Sequence, residues 1–323
     1  MADDQHNSDD LHDLAYAAMD RGALLEASQY FEALLARAPH KHYYHYMRGL
    51  AHKYMLDWPT SLDHNLQAIA LTKEPSEAEH WNAAIAATAL GDWARVRALW
   101  GACGVRVLEG QGPITDDYGL AVVRLNPWAG GETVWARRID PVRARLLNVP
   151  LPESGHRFGD IVLHDGASTG WRWDGDRKVN VFNELQRLET SEFATHVAFV
   201  RCERSEDLQV LLDTTVPGIG YIEDWTQSIQ HYCLRCSYDA PHQHDAPVVN
   251  DDWSPSRNLG IAAQSRKSVE KVLKDWQAGG RGREVEGIEI REVIAPQRVE
   301  GHVWWQEPEL EQDAPDDDAP SGQ

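Results

Sequence analysis

An α+β chain of more than one domain is what this sequence predicts, and three changes of pattern carry the prediction. From Asp9 to about residue 104, apolar residues recur at i, i+3, i+4 and i+7 with no β-rich run, the period of packed helices. From Tyr118 the period drops to two, in short runs separated by turn dipeptides. From Phe193, strand-like and helix-like runs alternate. A length of 323 residues exceeds one ordinary core, so two or three domains are expected, and an apolar fraction of 42% is enough to pack them.

Residues 1–8 are acidic and polar and are expected to be disordered, with helical hairpins over residues 9–104. In the first hairpin Leu11, Leu14, Ala15, Ala27, Phe31 and Pro39 stand at offsets that resemble a tetratricopeptide repeat. Ala15 and Ala27 are small enough to let two helices cross closely, Phe31 fills the groove, and Pro39 ends the second helix. A shift of about 34 residues brings up Gly49, Ser61 and Ala68. One further step gives Ala84, Val96 and Trp100, with a turn at Gly91 to Trp93. Asn65 departs from the pattern, standing where a large apolar residue belongs. The resemblance implies three stacked hairpins whose first helices line a protein-binding face. In the second unit that helix reads KHYYHYMRGLAHKYM. Tyr43, Tyr44, Tyr46, Arg48 and His52 are its candidate partner contacts, because Tyr and Arg are frequent interface anchors. Tyr43, Met47, Leu50 and Tyr54, at helical spacing, also fit a core face.

After a linker at Gly110, Gly112 and Pro113, residues 105–190 form the β-rich region. The runs YGLAVVRL, ETVWARRI, VRARLLNV, DIVLHDG and KVNVFNEL predict short strands. Asn126-Pro127, Gly130-Gly131, Asp165-Gly166 and Asp174-Gly175 supply the turns. This spacing suggests a small, strongly bent sheet or partial barrel, with Pro141 placing its strand on an edge, bulged or broken. The region also carries Arg137, Arg138, Arg143, Arg145, His156 and Arg157 in an otherwise acidic chain. Strand alternation puts Arg143 and Arg145 on one face, a candidate anion contact. Pairing with the chain's own abundant Asp and Glu is the favoured account of the cluster.

Residues 191–306 read as an α+β module. FATHVAFVRC, GIGYIEDW, RNLGIAAQ and VEGIEIREVI are strand-like. SEDLQVLLDTT is a helix opened by Ser205. SRKSVEKVLKDWQAGG is an amphipathic helix capped by Ser265, with Val269, Val272, Leu273 and Trp276 inward and Gly279 as its stop. This β-α-β, β-α-β order is that of a ferredoxin-like sandwich. In the connection between its halves, Cys233 and Cys236 stand two residues apart, followed by His242 and His244, with His231 upstream. Two thiolates from a tight turn and two imidazoles from an extended arm fit a closed, structural zinc site. A redox pair, plain buried thiols, or a loop with weak metal affinity are the other readings of the same residues.

Residues 307–323 are acidic and proline-bearing, with no Lys or Arg, and are expected to be a disordered tail. The formal net charge of −20 disfavours nucleic acid and permits a basic protein partner, with simple solubility as the other reading. No apolar run approaches the roughly 20 residues that span a bilayer, and with an acidic N-terminus a cytoplasmic location is expected. G-x-x-x-x-G-K-[ST], G-x-S-x-G and HExxH are all missing from the sequence. Taken whole, the chain resembles bacterial tetratricopeptide-repeat proteins, in particular immunity proteins of polymorphic toxin systems. That resemblance implies a protein partner, a basic toxin domain occluded by binding. A scaffold or adaptor, and an enzyme of the α+β region, are the alternatives.

Overall fold

In the computed structural model, which describes residues 2–74, 76–129, 131–229, 253–291 and 293–306, a helical region is followed by a barrel and an open sheet. Six helices come first: α1 (Ala2–Asp20), α2 (Leu24–Arg37), α3 (His42–Met55), α4 (Trp58–Leu71), α5 (Glu77–Leu90) and α6 (Trp93–Ala102). Each packs on the next, and α3 also meets α5. Ala15, Ala27, Phe31, Ala84, Val96 and Trp100 are fully buried, as the periodicity predicts, whereas Leu14 faces solvent. Asn65 finds its reason in Gly49 and Ser61. It lies over Gly49, and its amide donates to the Ser61 carbonyl (2.8 Å) while the Ser61 hydroxyl donates to the Gly49 carbonyl (2.8 Å). Helix α1 begins at Ala2. Side-chain caps start the later helices: Asp57 for α4, Ser76 in a capping box with Glu79 for α5, and Asp92 for α6.

Five strands then close a barrel: β1 (Leu120–Arg124), β2 (Thr133–Arg138), β3 (Arg143–Leu146), β4 (Ile161–Asp174) and β5 (Arg177–Glu189). Neighbours are antiparallel except at the closure, where β1 runs parallel to β5 with Val122 opposite Val181. Val123, Leu125, Val134, Ala136, Ala144, Leu146 and Val162 fill the interior. Pro141 breaks the chain between β2 and β3, one of the outcomes expected of it. Asp165-Gly166, expected as a turn, instead lies inside β4, where the pairing with β5 slips register between His164 and Ser168. A Cβ at Gly166 would stand 2.4 Å from the Trp81 ring, so the bulge lets β4 approach α5 closely.

The last region holds β6 (Ala194–Cys202), α7 (Ser205–Leu212), β7 (Ile219–Asp224), a short α8 (Trp225–Ser228), β8 (Ser256–Ala263), α9 (Arg266–Ala278) and β9 (Arg283–Ile290). Its sheet is antiparallel, in the order β7-β8-β6-β9. Helix α9 follows the sequence reading closely, with Ser265 accepting from the Ser268 amide, Val269, Val272, Leu273 and Trp276 buried, and Gly279 as C-cap. Ser205 is the first helical residue of α7 and not its cap, which is Arg204 without a side-chain bond.

The three regions are joined by buried contacts. Glu223 on β7 accepts from the Asn148 amide (2.9 Å) and the Val149 backbone N–H (2.7 Å), and the Trp225 indole donates to the Val149 carbonyl (3.0 Å). Val197, Trp225 and Ala262 pack there against Val149 and Leu151. Residues 293–306, expected to stay with the α+β module, leave it and strap back over the barrel to the helices. The Trp128 indole donates to the Pro296 carbonyl (2.8 Å) and the Asn183 amide to the Trp304 carbonyl (2.9 Å). Trp305 stacks on Tyr54 at 4.5 Å, with Trp304 edge-on at 5.4 Å. Burying two indoles outweighs the polar character of the strap around them. At its far end the Gly301 N–H donates to the Gly22 carbonyl (3.1 Å). Gly22 has φ +78°, and a Cβ there would lie 2.9 Å from the His302 nitrogen, so both its backbone and its neighbour demand glycine.

Candidate functional site

Helix α3 carries the residues that the sequence marked for partner binding; Tyr44 and His52 are buried, and Tyr43, Tyr46 and Arg48 are half-buried. Lys53 is 3% exposed; its ammonium donates to Asn82 Oδ1 (3.0 Å) and to both oxygens of Asp165 on β4 (3.0 and 3.1 Å). The Tyr54 hydroxyl donates to the same carboxylate (3.2 Å), and the Lys53 ammonium lies 4.5 Å from the Tyr54 ring. Burial, and then the charge of Asp165, push the Tyr54 hydroxyl well above its ordinary range. Burial also raises Tyr46, whose hydroxyl meets Asn82. Tyr44 is buried beside His12 and Phe31. His52 bonds Ser28 (2.8 Å) and Asp57 (3.0 Å), and Arg48 pairs with Glu32 (3.2 Å). Tyr43 is half-buried and lies edge-on to Tyr44, with ring centroids 4.4 Å apart. At the C-terminal end of α3, Lys53 and Tyr54 are covered by β4 and the C-terminal strap, while Tyr44, Arg48 and His52 meet the neighbouring helices and turns.

An exposed aromatic site lies elsewhere, on a stretch that sequence reasoning used only for its turn. Strand β5 pairs with β1 at Val181 to Asn183, and β4 pairs with β3 at Ile161 to Leu163. Beyond those residues β4 and β5 continue as a two-stranded ribbon to Asp174 and Arg177. Trp171 and Trp173 alternate onto one face of it, with ring centroids 5.3 Å apart. Lys178, directly opposite Trp173, places its ammonium 3.7 Å from the Trp171 ring. On the other face Val179 is buried with Val122, Val181 and Trp135, which fixes the ribbon to the barrel. Trp173 remains 54% exposed at the tip, flanked by the exposed Asp174 and Asp176. The usable sequence signal was two tryptophans at i and i+2 just before a D-G turn.

The arginine cluster pairs internally. Arg143 is 4% exposed, held by Asp140 and the Ile114 carbonyl and covered by Trp93, so it does not offer an anion contact. Arg145 is exposed and donates to the Gly159 carbonyl (3.3 Å). Arg137 pairs with Asp117, and Arg138 donates to the Tyr118 carbonyl (2.6 Å). Glu223 and Asp224 are structural, Asp224 being bound by Arg257. Cys202 is buried and Cys103 half-buried. The expected zinc ligands Cys233, Cys236, His242 and His244 lie outside the described residues; among the described ones no group of three or more His, Cys, Asp or Glu is placed to hold a metal. No helix among the described residues is long and apolar enough to cross a membrane. No protein-family model matches the chain, and no curated protein matches it in sequence.

Proposed function

We propose that this chain works by binding another protein, as an immunity protein that covers a basic toxin domain, and that the tip of the β4–β5 ribbon is its contact. The single observation behind this reading is Trp173, more than half exposed beside Trp171 on an arm that extends past the rest of the barrel. An indole held in solvent by a fixed ribbon gains area and cation–π energy when a partner covers it, with little conformational entropy left to lose. The net charge of −20 over the whole chain steers a basic surface toward the protein, while at the tip itself Asp174 is paired with Arg177. The finer description of the fold belongs to the same proposal. The close approach of Asn65 to Gly49 supports tetratricopeptide-like hairpins, and the order β7-β8-β6-β9 supports a ferredoxin-like module. The adaptor alternative needs an open helical face, and β4 and Trp305 cover Lys53 and Tyr54 at the C-terminal end of α3.

The test is growth rescue. A neighbouring gene whose product arrests growth when expressed alone is co-expressed with this chain. Rescue by the wild type, lost in the Trp171→Ala/Trp173→Ala double variant at equal soluble level, is the expected result. Rescue that survives the double variant removes the ribbon from the interface, and no rescue with any neighbouring gene removes the immunity reading.

A further inference from the structure

We propose that the groove between the barrel, the open sheet and the segment after β9 binds the phosphate group of a small organic molecule. The groove has a volume of about 380 Å3, within the ordinary range for small-molecule sites. His156, Arg157, Arg187, Thr195 and Arg291 line it. They come from separate places: the loop before β4, the end of β5, the start of β6 and the residue after β9. Their convergence is a product of tertiary packing.

Each arginine is anchored on one side. Arg187 donates to the Gly155 carbonyl (2.6 Å) and lies 3.4 Å from the Asp160 carboxylate. Arg291 is held by Glu289 (2.9 Å), and Arg157 donates to the Ser191 carbonyl (3.3 Å). A guanidinium has five N–H donors in a planar fork, so Arg187 and Arg291 retain donors beyond these contacts. Forks of this kind fit the oxygens of a tetrahedral oxyanion. Both ring nitrogens of His156 are engaged, by the Ser154 carbonyl (3.0 Å) and Glu184 (2.7 Å), so it contributes charge more than a donor. Asp160 and Glu289 behind the arginines keep the net charge of the groove small, so donor geometry selects the ligand more than the field does.

Thr195 points to an occupant independently. It is 7% exposed, it lines the groove, and its hydroxyl has no hydrogen-bond partner within the protein. Buried hydroxyls are almost always paired; the oxygen of this one is closed off from solvent, so the side chain must rotate about χ1 to donate to a phosphate oxygen in the groove. Val293 and Ile294, 45% and 86% exposed, form an apolar wall that suits an organic body attached to the phosphate.

Isothermal titration of the full-length chain with phenyl phosphate, inorganic phosphate and benzoate, at matched ionic strength, tests this. Phenyl phosphate is expected to bind most tightly. Thr195→Val and Arg291→Ala are each expected to weaken it about tenfold or more, the effect of one charge-assisted hydrogen bond. Thr195→Val should leave the melting temperature unchanged or raise it, because it removes a buried hydroxyl that has no protein partner, so weaker binding in that variant is not a folding defect. Equal affinity for benzoate overturns the phosphate assignment, and equal affinity for inorganic phosphate overturns the organic body. No binding of phenyl phosphate to the wild type, or binding that neither variant weakens, overturns the site.

Discussion

Helix α3 and the β4–β5 ribbon carry the same kinds of side chain, aromatic rings beside Lys and Arg, and the fold treats them in opposite ways. On α3, Tyr44, His52, Lys53 and Tyr54 are buried in bonds to residues far along the chain, Asp165 among them. On the ribbon, Trp173 stays in solvent although its strand partner Lys178 is only five positions away. Composition identifies residues able to anchor an interface. Only long-range packing decides whether that interface is within the molecule or with another one.

The largest effect is expected at the buried side of this comparison. Lys53→Met strands the Asp165 carboxylate and should cost about 3–5 kcal/mol in urea unfolding, the usual penalty for removing one partner of a buried pair. A loss near zero would mean that α3 is not held by β4, and its aromatic face would again be open to a partner.

Acid should loosen the same region. Burial holds His64 and His164 neutral in the fold, with pKa values of about 4 each against an ordinary 6.5. Between those limits the unfolded chain takes up protons that the folded chain refuses, so stability falls as pH drops from 6.5 toward 4. Glu132 works the other way: burial raises it to about 7, and the cost of keeping it protonated grows as pH rises above 4.5. Two histidines against one carboxyl leave the chain about 1–2 kcal/mol less stable near pH 5 than near pH 6.5. Urea midpoints at the two pH values read this, and His64→Gln should flatten the difference.

The smallest effect on stability is expected at the exposed side. Trp173→Ala should change the unfolding free energy by no more than about 0.5 kcal/mol, as surface substitutions do, while it weakens the proposed contact. A cost of several kcal/mol would place Trp173 in a core and erase the contrast.

Local physics made much of the architecture legible. The cap at Ser265, the buried stripe of α9 and the alternation of the barrel strands follow from residues within a few positions of one another. Three features did not follow, each for a physical reason. Asp165-Gly166 has the chemistry of a turn, yet Gly166 is there because Trp81 approaches β4 from another region. Trp304 and Trp305 sit in a polar stretch and gain their place only from Tyr54, some 250 positions earlier. Thr195 reads as an ordinary strand residue, and nothing in its neighbours announces a hydroxyl left without a bond.

The strap over residues 293–306 has a kinetic consequence. By joining Gly301 to Gly22 and wedging two indoles against α3, it makes the described chain close on itself like a belt through a buckle. The helices cannot swing away from the barrel until that buckle is undone. Separating the helices from the barrel therefore breaks the strap's contacts as well as the direct Lys53–Asp165 and Trp58–Gln186 bonds.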